Sequence, residues 1–430
     1  MNLETIETWP RRIFLFAAVA FFISLGCSTI FRANYSHTHR SDFTVYTSAG
    51  KAVLDGTNIY EAHNIRGWYF MYLPIFAIVM VPFAWMGTFW ASLLWFLLSA
   101  FTLIHGIDLA CRLARHGFPR MRIHDFWFRA LVGLIVLLPA TSGIARGQAS
   151  VLIMYLMTLG IWFYFEKQPW AAGLALAGCI VLKIFPALLA LYFLIHRRFK
   201  YAATTALWLI LLILVIPSAV FGPAKNFALL RQWNTTIAMP ANQGIGEANT
   251  RFDQMIDPRN SRNQSLQAVA IRSGTGRTMD VPFENEQITR PIALLMNVLL
   301  FVVSTWLCFK NHWSESMRRS LLKISMLALL MLMISPVTWN HNFVLVVLPA
   351  AAALAAWRSQ GEQSSYAVFG WALLVYGAGT VLSMVDVLNY FGSRFWGTIL
   401  LWTAFAWVLL KDKQSTRQPS ERGNTVPAIS

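Results

Sequence analysis

The stretch WAAGLALAGCIVLKIFPALLALYFLI, residues 170–195, decides the fold class. It is long enough to cross a bilayer, yet Lys183 and Pro186 interrupt its middle. A proline removes a rung of the helical ladder. A lysine so far from either basic loop calls for an anion, a water-filled cavity, or a stem that snorkels to the interface. The run is therefore expected to form two short arms folded at the outer face of a membrane. Further apolar runs lie near 13–31, 71–86, 89–110, 129–143, 150–165, 203–221, 291–309, 321–335, 343–357, 366–385 and 395–410. Runs of helical length exclude the weak alternation of an outer-membrane barrel. The run 71–86 is short, carries Pro74 and Pro82, and is expected to be a re-entrant or surface helix. The sequence thus predicts an all-α polytopic membrane protein with about 12 membrane segments and outer juxtamembrane helices. A single transmembrane domain is expected over 1–410, with outer loops 32–88 and 222–290, followed by a disordered cytoplasmic tail over 411–430.

Composition agrees: 57% hydrophobic residues against 13% charged ones, with a mean hydropathy of +0.52, is too apolar for a soluble domain. The net charge of +16 resembles a nucleic-acid signal but has a plainer cause. Its basic residues collect in short loops at Arg11 and Arg12, at Arg112 to Arg122, at Arg197 to Lys200, at Lys310 to Arg319, and at Lys411 and Lys413. These read as cytoplasmic anchors, and no nucleic-acid partner is expected. With that orientation, the loop 32–88, the turn at Arg146, the break at Lys183, the loop 222–290 and the turn 336–342 share the non-cytoplasmic side of a plasma (inner) membrane. The first apolar run lacks a small-residue cleavage site and reads as a retained helix. Cys27, Cys111, Cys179 and Cys308 lie in or beside apolar runs without metal spacing and are assigned to packing. Glycine-rich phosphate loops, zinc spacings and serine nucleophile elbows are absent, so nucleotide hydrolysis, metalloprotease and lipase chemistry lose support.

The outward polar residues carry the candidate chemistry. In SDFTVYTSAGKAVLDGTNIY, residues 41–60, Ser41 is expected to cap a membrane-surface helix from Asp42 to about Leu54, which Asp55 and Gly56 end. Asp42 is the candidate catalytic acid, its alternative role being to stabilise the helix N-terminus. In SGIARGQAS an arginine fork at Arg146, followed by Gly147 and Gln148, suits a phosphate, with structural capping of the turn as the alternative. In SPVTWNHN the residues Trp339, Asn340 and His341 make a corner for sugar or phosphate, or an interfacial aromatic belt with a solvated histidine. Gln264 and Arg272 belong to a polar basic cluster that begins at Arg259; such clusters are also commonly just solvated. With Lys183, Tyr46 and Tyr60 these complete the candidate substrate-binding residues, and no set of metal ligands is evident.

In this order, the motifs SDFTVYTSAGKAVLDGTNIY, YLPIFAIVMVPF, RGQASVLI, AGLALAGCIVLKIFPALLALYFLIHRRFK, NQSLQAVAIR and SPVTWNHNFVLVVLP resemble glycosyltransferase family 87 over about residues 40–350. That family comprises polyprenyl-phosphate-mannose-dependent α-mannosyltransferases of GT-C architecture. The resemblance implies an inverting hexosyltransferase that moves a sugar, expected to be mannose, from a polyprenyl-phosphate donor to a glycan or glycolipid acceptor among membrane lipids. It implies Asp42 as the acid of the outer loop, Lys183 and Arg146 as donor-phosphate partners, and His341 at the site rim. No cofactor is required by this reading, and a divalent metal is left open because GT-C relatives differ. A lipid-linked sugar flippase is the competing class. It calls for a polar track across the bilayer, whereas the polar residues here gather at one interface.

Overall fold

The computed structural model describes residues 3–35, 37, 40–243, 256–275, 286–310, 316–359 and 364–411. Residues 244–255 and 276–285 of the expected outer loop, and the expected tail from 412 onward, lie outside these. Met317–Ile334 runs through the middle of the molecule, with 16 of its 18 residues buried, and packs against Thr88–Gly117, Val347–Trp357 and Ser393–Lys411. An apolar helix suits lipid or protein alike, and it is this burial that shows other helices surrounding it. Its three basic residues sit in the first two turns, where Lys323 Nζ donates to the carbonyl oxygens of Cys308 and Lys310 at the end of Glu286–Phe309. On one flank Ser150–Phe165, Pro169–Leu182 and Phe199–Ile210 pack in succession, and on the other Ala367–Leu382 lies on Ser393–Lys411. One apolar core runs through these elements from Leu25 to Leu409.

The described residues are helical apart from loops and three isolated bridges, so the expected all-α polytopic class holds. The span count differs from the expected 12. Among the described residues seven helices are long and apolar enough to cross a membrane, or eight if Asp125–Ile135 and Leu137–Ala145, bent by 62°, count as one span. The shortfall lies in length and charge. Ser150–Phe165, Pro169–Leu182 and Phe185–Ile195 are helical but short: 14 residues rise only about 21 Å, against a hydrocarbon core of about 30 Å. Met317–Ile334 is long enough but carries Arg318, Arg319 and Lys323. The run 71–86 forms two short helices, Pro74–Val79 and Val81–Trp85, neither of them long enough to cross.

These two short helices matter because they support the polar outer segment. Phe43–Leu54 buries Phe43, Val45, Tyr46, Ala49, Gly50 and Ala52, and it packs on both of them. Contact is close enough that a Cβ on Gly50 would fall 2.6 Å from the Met80 carbonyl oxygen. The expected cap at Ser41 is not made. Asp42 occupies the cap position without a side-chain capping bond, and the Ser41 carbonyl instead accepts the Thr44 hydroxyl and the Asn64 amide. Backbone cannot yield at Gly50 as a flexible side chain could. Gly50→Ala is therefore expected to destabilise the protein by about 1–3 kcal/mol, read as a lower thermal midpoint in detergent, and an unchanged midpoint would contradict this packing.

Candidate active site

The site is organised by the turn 143–148, which three distant elements hold. Thr29 Oγ1, on Leu3–Asn34, shares its proton between the Leu25 carbonyl at 2.8 Å and the Ile144 carbonyl at 3.1 Å, and Trp95 Nε1 donates to that of Gly147 at 3.0 Å. The backbone N–H groups of Asp42 and Phe43 both donate to the Arg146 carbonyl, at 2.8 and 3.3 Å. Gly147 is required twice: its φ is +68°, and a Cβ there would sit 2.6 Å from Phe43 Cβ. Each constraint presses the start of Phe43–Leu54 onto the turn, so that Gln148 faces Asp42.

Asp42 is 7% exposed, and its side chain is held by other side chains rather than by its own helix. Gln148 Nε2 donates to Oδ2, and Arg40 Nε donates to Oδ1 at 3.3 Å. Gln148 Oε1 in turn accepts the Tyr46 hydroxyl at 3.0 Å, and the Tyr46 and Tyr72 hydroxyls lie 3.0 Å apart. The sense of this chain is fixed: a phenol donates to an amide oxygen, and the amide nitrogen donates to a carboxylate. Burial, then Tyr72 and Asp42, raises the Tyr46 hydroxyl above its ordinary value, while burial pushes Tyr72 up to about 12. Both tyrosines are therefore neutral donors at physiological pH.

Lys183 lines the same cavity as the acid. The helix Pro169–Leu182 ends on this lysine, its backbone is extended, and Phe185–Ala187 continues as one turn of 3₁₀ helix around Pro186. Its Nζ donates at 2.9 Å to Oδ1 of Asn342, a neutral amide, and lies 5.5 Å from the Phe185 ring centroid. Asp42 and Lys183 line one cavity of about 630 Å³, together with Arg40, Tyr46, Tyr72, Gln148, Trp339 and His341. Most of the remaining lining is apolar, from Val181, Leu188, Leu191, Ile237, Phe301 and Ile334 among others. An acid and a cation facing an apolar chamber can take a proton at one end and hold an anion at the other.

The turn 336–342 is fixed from outside. Asn263 Nδ2 donates to the Pro336 carbonyl, its Oδ1 accepts the Thr338 N–H, and Gln264 N–H donates to the Thr338 carbonyl at 2.7 Å. From Ser393–Lys411, Arg394 reaches the Asn340 carbonyl at 2.9 Å. His341 Nδ1, Asn340 Oδ1 and Asn342 Nδ2 are buried and have no hydrogen-bond partner among the described residues.

Of the expected site residues, the cavity thus gathers Asp42, Tyr46, Gln148, Lys183, Trp339 and His341. The others stand outside its lining. Tyr60 donates its hydroxyl to the Tyr72 carbonyl at 3.1 Å. Gln264 donates to the Ser261 and Asn389 carbonyls, and fully buried Arg272 donates to those of Pro258, Asn260, Asn263 and Tyr390. These two tie the 256–265 segment to residues 389–390 and so support the turn at 336–342 from behind. Arg146 lies near enough to Asp42 for the carboxylate to offset part of the effect of burial, which lowers the guanidinium to about 10 and leaves it charged. Among the described residues no three His, Cys, Asp or Glu side chains gather as a metal site.

The sequence profile of glycosyltransferase family 87 matches residues 70–336, more than half of the chain. The chain belongs to this family. It is similar to two curated proteins, each described as a polyprenol-phosphate-mannose-dependent alpha-(1-2)-phosphatidylinositol mannoside mannosyltransferase. The one from Mycolicibacterium smegmatis is 26% identical, over 93% of this chain and 88% of its own length. The one from Mycobacterium tuberculosis is 28% identical over 75% and 73%. Among solved structures, ArnT from Cupriavidus metallidurans bound to undecaprenyl phosphate has a TM-score of 0.34 at 13% identity, over 92% of this chain and 77% of that one. Its apo form gives 0.33 at 16% identity, over 94% and 77%.

The stretch matched to family 87 includes Arg146, Gln148, Lys183, Gln264 and Arg272 but stops short of Asp42, Trp339 and His341. For those three the cavity geometry is the independent observation. The cavity also gathers Arg40, Trp68 and Tyr72, which the sequence reading passed over, and Asn342, outside its lining, bonds its lysine. Arg40 stands two positions before the acid, and Asn342 closes a motif already singled out, so proximity to candidates was the available signal. Gln148→Leu removes a donor from a buried carboxylate, a loss of about 1.5–3 kcal/mol. Sugar-transfer turnover is expected to fall about tenfold or more in steady-state assays, with donor KM changing less; undiminished turnover would show that the amide does not orient the acid.

Proposed function

We propose that this family 87 glycosyltransferase is an inverting hexosyltransferase. It transfers mannose from a polyprenyl-phosphate donor to a glycolipid or glycan acceptor at the non-cytoplasmic face of the plasma membrane, within a GT-C architecture. One observation carries the reading: a buried carboxylate, Asp42, and a lysine whose hydrogen-bond partner among the described residues is a neutral amide line the same largely apolar cavity. The cavity's volume of about 630 Å³ suits a sugar and its phosphate, and the apolar lining suits the start of an isoprenoid chain. The names of the two mycobacterial relatives support the donor and the sugar. The distribution of basic loops supports the outward-facing side.

In the proposed reaction Asp42 accepts the proton of an acceptor hydroxyl as that oxygen bonds to the anomeric carbon. The bond from this carbon to the phosphate oxygen breaks on the opposite face, and polyprenyl phosphate leaves with the electron pair. Inversion follows from the single displacement. A phosphate leaves without being protonated, so a second carboxylic acid is unnecessary, and Lys183 stabilises the charge that develops on it. His341 brings the polar edge of the turn 336–342 to the cavity wall, where a sugar hydroxyl finds a partner.

Two substitutions test the assignment in proteoliposomes supplied with polyprenyl-phosphate-mannose. Asp42→Asn keeps the side-chain shape and removes the base, and transfer is expected to fall by about 10²- to 10⁴-fold; near-normal transfer by a folded variant would eliminate Asp42 from the role. Lys183→Ala is expected chiefly to raise the donor KM. An unchanged KM would detach the lysine from the donor.

A further inference from the structure

Arg40 lines the cavity with most of its guanidinium uncommitted among the described residues. Its guanidinium carbon lies 4.2 Å from the ring centroid of Trp68 and 5.2 Å from that of Trp339, and the Arg40 side chain is 16% exposed. Only Nε is used, in the 3.3 Å contact with Asp42 Oδ1, which is longer than the roughly 2.7–2.9 Å of a tight charge-assisted bond. Among the described residues neither Nη group has an acceptor, and neither is sealed from the cavity or solvent. Two indoles limit how the group can swing and exclude water from its faces, at little cost because guanidinium is weakly hydrated. What is left is a charged fork with two Nη groups, four N–H donors in all, without acceptors among the described residues, anchored at its third nitrogen to the proposed base.

We propose that Arg40 is a phosphate-binding residue of the donor site: Nε stays on Asp42 while the two Nη groups grip the phosphate of polyprenyl phosphate. The inference rests on the donor proposed above. It gives to Arg40 the bidentate role that the sequence reading gave to Arg146, which lies outside the cavity lining. One guanidinium then touches both the base and the leaving group, so donor occupancy and the orientation of Asp42 become linked. Lysine cannot replace it, since a single ammonium does not present a planar fork while also holding the carboxylate.

The test is equilibrium binding to the full-length protein in detergent, using polyprenyl monophosphate, unphosphorylated polyprenol and inorganic phosphate as probes. Arg40→Ala and Arg40→Lys are both expected to weaken polyprenyl monophosphate by about tenfold or more and to leave polyprenol within about twofold. Should the alanine variant fail to fold, the lysine variant, which keeps the charge and the stem, carries the test. Wild-type affinity for polyprenyl monophosphate in a variant that has lost transfer overturns the proposal, because Arg40 then acts only by orienting Asp42. Equal weakening of polyprenol overturns it too, since that outcome marks a packing role. Inorganic phosphate binding as tightly as the lipid overturns the assignment to a lipid donor. Asp42→Asn separates this inference from the reaction it rests on. It is expected to retain polyprenyl monophosphate binding while losing transfer, whereas a variant that still transfers sugar defeats the base without touching the role of Arg40.

Discussion

The site depends on one short seam, where the N–H groups of Asp42 and Phe43 meet the carbonyl of Arg146 and the Gln148 amide meets the Asp42 carboxylate. Backbone fixes the position of the acid, and a side chain fixes its orientation. A buried carboxylate without such donors would be costly, and one bound by its own helix would face its N-terminal amides rather than a cavity. The helix Phe43–Leu54 instead leaves its first amides to the carbonyl of Arg146, and the acid is turned toward Gln148 and Arg40 at the cavity wall.

The rest of the outer face reads as support for that seam. Arg272 spends a fully buried charge on backbone carbonyls, closing the 256–265 segment around itself. That segment holds residues 336–338 through Asn263 and Gln264, while Arg394 holds Asn340 from the far side. Hydrogen bonds from charged donors are worth more than neutral ones. Two basic residues far from the cavity therefore keep Trp339, His341 and Asn342 in place.

The fold was legible because apolar run length and proline position carry most of the information in a membrane chain. Pro74 and Pro82 marked short helices, and Lys183 with Pro186 marked the end of Pro169–Leu182. The number of spans was less legible, since a run of apolar residues does not say whether its faces meet lipid or protein. In the site, Asp42 and Lys183 stood out because ionisable groups beside apolar segments need a partner. Arg40 and Tyr72 did not, because their partners lie far away in sequence or beside a residue that already had a role. Arg272 was unreadable for another reason: its acceptors are backbone carbonyls, which every residue has and no sequence distinguishes.

The pairing of Lys183 with Asn342 carries a consequence for the protein's durability. An amide satisfies the geometry of an ammonium group but supplies no counter-charge, so on the proposed donor-binding role of Lys183 the phosphate of the lipid provides what Asn342 does not. Such a ligand does more than enter a reaction. At about a hundred times its dissociation constant, a molecule that binds only the folded form adds about 2.7 kcal/mol to stability. On that proposed role the lipid phosphate is a structural component of its own enzyme, and the molecule is most fragile in the interval between product release and the next donor.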